Sequence, residues 1–453
     1  MNEKTMSSVH NGHILGLTAV LFVPVGVFLS KGIAPLFAVA AVLCLVLGLW
    51  RNRAVPLILG PVTFALAALV FWALVSWFWS ITPDETLKTG ITLAATFLGG
   101  VVLFAVGATL GKSEKKVLQN GIILGGAIGF SLIAIEFASN AWLTQVMQKF
   151  IHNRVTLNVY GDLTNALNSG MAATALFFWP WAMVMRLRFT PKVSVPAICA
   201  GLGLIILTYA DAVVLGFALG VVVFAAAIAW PRWALWGLGA VVVAGVLLAP
   251  KIPGLLPNPL VSGPNLAWLT PSSAHRIVIW KNTVGHIEQK PVLGGGFDTA
   301  RGLYSTKDRV QYTFPKEITG TTAFSVQYEP IPLHPHNAVL QVWLELGGVG
   351  ALIGLGLLLS ILRAIDRTID SRPHRAAAVG MFTSSLFLSS ISFGIWQSWW
   401  LSSILLSAAF LIAALEADVG GVAEPPVEEI GGPKGLEPTR YGDWERKGRA
   451  VDF

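Results

Sequence analysis

Apolar positions in this chain come in long blocks, without the alternation of a half-buried strand. Runs of roughly twenty residues recur between residues 14 and 415, separated by short polar or charged breaks. A helix rising about 1.5 Å per residue crosses a hydrocarbon layer of about 30 Å with such a run. The blocks predict twelve spanning helices, at 14–30, 32–50, 57–79, 91–110, 121–138, 170–187, 194–210, 212–230, 233–249, 337–362, 376–394 and 396–415. The implied fold class is all-α: a polytopic membrane protein of about twelve transmembrane helices with one large water-facing loop.

The breaks divide the chain into a membrane bundle of about nine spans (1–249), the large loop (250–336), three C-terminal spans (337–415) and a tail (416–453). The tail is rich in Pro, Gly and Glu, basic at its end, and expected to be disordered. Residues 139–169 read as a polar connection holding Trp142, His152 and Arg154. The large loop is too long for a plain connector. It opens with a Pro/Gly/Asn-rich stretch (250–271) and then predicts a helix, capped by Ser272 or Ser273 and striped by Ile277, Trp280, Val284 and Ile287. Pro291 and Gly294–Gly296 end it, and the helix is expected to lie on the membrane face of the protein.

Composition sharpens this picture. Only 12% of residues are charged, against about 25% in a soluble domain. The net charge of +7 needs no nucleic acid, because Lys and Arg gather in short breaks on one side. With the N-terminus in the cytoplasm, the inner breaks carry fourteen of them, including Lys112, Lys115, Lys116, Arg363, Arg367, Arg372 and Arg375. The short outer breaks carry four: Lys31, Lys88, Lys149 and Arg154. The positive-inside rule then puts both termini in the cytoplasm and the 250–336 loop outside, in the periplasm if the cell is Gram-negative. The polar stretch to His13 and the lack of a small-x-small cleavage site predict a retained first helix. Cys44 and Cys199 fall inside apolar runs and read as packed thiols. Without CxxC or HExxH patterns, neither a metal nor a cofactor is expected.

Candidate chemistry concentrates where the loop meets the tenth span, at Leu333-His334-Pro335-His336-Asn337. His336 reads either as a general base at a cavity mouth or as an interfacial histidine capping the following helix. His334 shares the hinge, with Pro335 turning the two rings apart. Arg276 and Arg301 in the loop suit a diphosphate or carboxylate, or are solvated surface arginines. Lys281, Lys290, Lys307, Arg309 and Lys316 extend a positive rim. Glu345, nine residues into the span, is an intramembrane carboxylate and so a functional-site candidate, which either pairs with an arginine or sits protonated in a helix contact. Glu136 and Asp211 are weaker instances. Gly347, Gly348 and Gly350 predict close helix packing. Trp396, Trp399 and Trp400 read as an interfacial aromatic belt or a platform for sugar rings.

Two of these stretches resemble a known family. His336-Asn337, nine residues, then Gly347-Gly348-Val349-Gly350 is similar to the His-Asn-x9-Gly-x-x-Gly motif of O-antigen ligases. Arg276-Ile277-Val278-Ile279-Trp280, followed by Pro291-Val292-Leu293-Gly294-Gly295-Gly296, resembles the Arg-x-x-x-Trp…Pro-x-x-Gly-x-Gly signature of the wider ligase and polymerase family. The resemblance implies a metal-independent glycosyltransferase moving a glycan from undecaprenyl diphosphate to a lipid A-core sugar hydroxyl at the periplasmic face. It implies His336 as the base and Arg276 as a ligand of the donor diphosphate; Arg301, His334, Asn337 and Glu345 are expected as further substrate contacts on their position in the chain. Family members often carry arginines where this chain has Ser169 and Asp211, so Arg154 stands as the candidate replacement. The partners implied are that donor, that acceptor and membrane lipids. An O-antigen polymerase or a protein O-oligosaccharyltransferase shares the donor chemistry. A lipid-linked glycan transporter, from another class, would show inverted repeats and paired mid-membrane charges.

Overall fold

The computed structural model describes residues 10–52, 57–139, 141–152, 161–207, 210–259, 271–303, 310–314, 324–328, 331–415, 445–446 and 449–450. Among the described residues, a helix falls on each of the twelve predicted blocks. They are α1 (Asn11–Phe28), α2 (Ile33–Asn52), α3 (Pro61–Val75), α4 (Pro83–Ala108) and α5 (Lys112–Ala138). After a shorter α6 (Trp142–His152) come α7 (Gly161–Arg188), α8 (Pro191–Leu207), α9 (Asp211–Ala229) and α10 (Pro231–Leu248). The loop adds α11 (Ile252–Leu255), α12 (Pro271–Gln289), α13 (Ala300–Leu303) and an antiparallel hairpin, β1 (Val310–Phe314) with β2 (Phe324–Tyr328). The chain returns as α14 (Ala338–Thr368), α15 (Arg372–Ile391) and α16 (Ser398–Ala414).

Among the described residues, eight helices are long and apolar enough to cross a membrane. The helices on the other four blocks are either 17 residues long, as in α8 and α16, or polar-bearing, as in α7 and α15. Helix α15 absorbs several of its polar groups internally: Thr383, Ser385 and Ser389 each donate to the carbonyl four residues back. Helix α7 is buried almost continuously from Leu167 to Met185 and forms the centre of the bundle. Phe22 of α1, Phe177 of α7 and Phe410 of α16 meet there, with ring centroids 5.3 to 6.1 Å apart.

Three local features depart from the block pattern. The 139–169 connection contains a helix, α6, whose start is held by the fully buried Glu136 carboxylate accepting from the Thr144 N–H and hydroxyl. The large loop carries the β hairpin. Helix α14 is broken at Gly347, where φ is 64° and ψ is −166°. The loop helix starts at Pro271, just ahead of the expected serine caps, and Ala274, Ile277, Val278 and Ile287 are buried in it. Ile287 and Trp280 pack with Leu340 and Leu344 of α14, so the loop is anchored to the span it precedes. Residues 417–453 form a separate unit, with described strands 445–446 and 449–450 paired.

Candidate functional site

The site is built around the start of α14. Asn337 caps this helix: its side-chain oxygen accepts from the Leu340 N–H at 3.0 Å and its carbonyl from the Gln341 N–H at 2.9 Å. The cap is therefore Asn337, and His336 is free for another task. His336 is left-handed, with φ 52°, a conformation that non-glycine residues hold only when their surroundings impose it. That turn brings its Nδ1 to 2.7 Å from the Ser392 carbonyl, in the connection between α15 and α16. A carbonyl only accepts, so Nδ1 carries the proton and Nε2 keeps a free lone pair. Burial lowers the imidazole's pKa; the Ser392 carbonyl works against this and the Arg276 charge reinforces it.

His334 completes the hinge. Its Nδ1 accepts from the His336 backbone N–H at 3.3 Å, which places its own proton on Nε2. The two rings meet edge to face with centroids 4.3 Å apart. Burial, then the neighbouring His336 and Arg301, push His334 down to about 3, so it is a neutral hydrogen-bond donor at physiological pH. The Trp280 indole N–H donates to the Pro335 carbonyl at 3.0 Å, tying α12 to the hinge. Gly394 is needed here, because a Cβ on it would lie 2.9 Å from the His334 ring.

Two arginines lie near enough to act electrostatically on this pair, Arg276 on His336 and Arg301 on His334. Arg276, on α12, is half-buried, and among the described residues it makes no hydrogen bond or ion pair. Burial lowers its pKa. Arg301, on α13, is held by its Nε at 2.8 Å from Asp298 Oδ2, with the side chain 46% exposed. Asp298 also accepts from the Thr89 hydroxyl at 2.7 Å; burial raises its carboxyl, against the pull of Thr89 and Arg301. Arg154 lies outside the described residues, as do Lys307, Arg309 and Lys316. Lys281 is engaged with the Pro253 carbonyl at 2.7 Å.

The two sequence signatures interlock. The break at Gly347 exposes backbone groups of α14, and the 291–296 loop bonds to them. Gly295 and Gly296 N–H donate to the Leu344 and Glu345 carbonyls, both at 2.9 Å, and Gly348 N–H donates to the Pro291 carbonyl at 2.8 Å. A Cβ on Gly347 would sit 2.2 Å from the Val292 carbonyl oxygen. The glycines thus admit a loop into a helix break, where sequence predicted helix-on-helix packing. Glu345 is fully buried and accepts from the Asp298 N–H (2.9 Å), the Trp396 indole N–H (2.6 Å) and the Gln341 amide (3.0 Å). It is placed as a bracket beneath the site, without the exposure that substrate contact needs. Trp396, buried against Phe297 and bonded to Glu345, belongs to this bracket and not to a lipid-facing belt.

Apolar cavities flank α14. One, of about 280 Å³, lies between α9, α10, α14 and α15, with Asn337 and Trp280 in its wall. Another, of about 230 Å³, lies against α3, α4 and α14, with Trp396 in its wall. Both are suited to hydrocarbon, and the first reaches the hinge. No group of three or more His, Cys, Asp or Glu placed to hold a metal occurs among the described residues. The Ser392 carbonyl and Gln341 were invisible to sequence reasoning. A backbone acceptor has no residue signature, and the only hint of Gln341 is its four-residue spacing from Glu345.

A family model described as O-antigen ligase matches residues 196–355, a stretch that contains Arg276, the glycine-rich loop, His336 and Gly347. A protein of Rickettsia felis named "Putative polysaccharide ligase" is 28% identical over 334 residues, 73% of this chain and 75% of its own length. Its namesake in Rickettsia bellii is 27% identical over 355 residues, 77% of this chain and 79% of its own. A second model, described as a protein of unknown function, matches residues 412–453. A stretch of 29 residues, 6% of this chain, is 69% identical to a UPF0369 protein of Rickettsia felis, covering 37% of that protein.

Proposed function

We propose, from the match to the O-antigen ligase model over residues 196–355 and the likeness to the two proteins named polysaccharide ligases, that this chain is a membrane glycosyltransferase of the O-antigen ligase type acting on undecaprenyl diphosphate-linked glycan. The acceptor is a sugar hydroxyl of lipid A-core at the periplasmic face of the inner membrane. The observation that carries this reading is the His336 imidazole, with its Nδ1 proton held by the Ser392 carbonyl and its Nε2 left as the acceptor, close enough to Arg276 to feel its charge.

In the reaction, His336 Nε2 takes the proton of the acceptor hydroxyl. The oxygen attacks the anomeric carbon while the bond from that carbon to the diphosphate oxygen breaks. The diphosphate leaves with the electron pair. Arg276 and the exposed nitrogens of Arg301 neutralise its charge, with the His334 Nε2–H as a neutral donor. Positioning of two lipid-borne reactants supplies much of the rate, and the apolar cavities beside α14 support that role. Asn337 contributes its cap and one free amide group at the cavity wall.

The test is genetic and direct. Deleting the gene is expected to leave bare lipid A-core on a lipopolysaccharide gel, with polymer retained on the lipid carrier. Core bearing a single repeat would instead identify a polymerase and overturn the ligase assignment.

A further inference from the structure

Glu345 has donors on every side, and they come from three segments. Oε2 takes the Asp298 N–H and the Trp396 indole N–H; Oε1 takes the Gln341 amide, whose own oxygen accepts from the Ile395 N–H at 3.1 Å. Ile395 and Trp396 belong to the connection whose Ser392 carbonyl holds His336. Asp298 follows the glycine-rich loop and carries Arg301. One buried carboxylate therefore fastens both the strut behind the imidazole and the mount of the arginine to the helix that His336 precedes. We propose that Glu345, working through Gln341, is a positioning residue that sets the placement of His336 and Arg301 without touching substrate. The proposal rests on the glycan-transfer reading of the same site.

The hydrogen-bond directions make it testable. In Glu345→Gln the single amide oxygen can keep Asp298 and Trp396, but the new NH2 faces the Gln341 NH2. Turning Gln341 over relieves that conflict and removes the acceptor of the Ile395 N–H. Either way the 392–397 connection loosens. The exchange Gln341→Glu with Glu345→Gln restores every pair: Gln at 345 accepts twice and donates once, and Glu at 341 accepts from it and from Ile395.

Full-length wild type, E345Q and the Q341E/E345Q exchange are purified in nanodiscs and shown to be folded by size-exclusion chromatography. Two quantities are read: transfer kinetics, and the rate at which diethyl pyrocarbonate modifies His336, followed by peptide mass spectrometry. E345Q is expected to lower kcat by about a hundredfold, as a misplaced group does, and to slow His336 modification. The exchange is expected to restore both. A folded E345Q with wild-type kcat and His336 reactivity overturns the proposal, as does a folded exchange as impaired as E345Q. Should E345Q not fold, Q341A removes the Ile395 acceptor and the Oε1 donor while leaving Asp298 and Trp396 on Glu345 Oε2, and is expected to slow both; wild-type values in Q341A overturn it. If wild-type protein transfers no lipid-linked glycan, the glycan reading fails by itself, and the His336 modification rates still decide the positioning role.

Discussion

Gly347→Ala tests the interlock that builds the site. The native backbone there, φ 64° and ψ −166°, is essentially restricted to glycine, and forcing alanine into it costs about 1–3 kcal/mol. The added Cβ would also lie 2.2 Å from the Val292 carbonyl oxygen, which must move. That movement puts two bonds at risk, Gly348 N–H to Pro291 and Val349 N–H to Val292, at 2.8 and 3.3 Å. At about 1 kcal/mol each, the total loss of loop docking is about 3–5 kcal/mol. Most of it falls on the local equilibrium between docked and undocked loop, shifting it by about a hundredfold or more. Hydrogen exchange is the assay: the Gly295, Gly296 and Gly348 amides are expected to lose protection by that factor while the centre of α7 stays protected. Transfer should fall in parallel, because Asp298 and Arg301 ride on the same loop. Gly354→Ala is the control, since a Cβ there meets nothing within 4 Å. Wild-type protection of those three amides in Gly347→Ala would refute the argument.

Transfer requires neutral His336, and burial disfavours its protonated form, so the acid limb of the pH profile is expected at a pH below the ordinary imidazole value of 6.5; a limb above 6.5 contradicts this. His334, held down to about 3 in the folded protein, binds fewer protons there than in the unfolded chain. Stability should therefore fall as pH drops from about 6.5 toward 3, and His334→Gln should flatten that fall in a melting series. Arg276→Lys keeps a charge but loses the planar fork, so donor KM is expected to rise by about tenfold or more, and Arg276→Ala to raise it further; an unchanged KM in both removes Arg276 from the donor site.

The membrane bundle was legible because a bilayer needs unbroken apolar length, and eight helices among the described residues carry it. The hinge was legible for a similar reason: two imidazoles and a helix-capping asparagine stand at the edge of an apolar run. What stayed hidden depends on partners distant in sequence. Gly347 and Gly348 look alike along the chain, yet only Gly347 breaks α14, because the 291–296 loop inserts there. Glu345 carried a visible signal as a carboxylate inside a span. Its role required Asp298, Gln341 and Trp396, contributed from both sides of it in sequence. Trp396 read as an interfacial residue until its indole N–H was seen on that carboxylate. Helix α6 was obscured by the polar character of its surroundings, with its start fixed by Glu136 from the preceding helix.

The central claim is that His336 Nε2 accepts the acceptor's proton. Purified His336→Ala, assayed with lipid-linked glycan and lipid A-core against wild type of matched folding, tests it most directly. Removal of a general base is expected to lower kcat by about 10²–10⁴-fold, with little change in donor KM. Wild-type turnover by the folded variant would contradict the account.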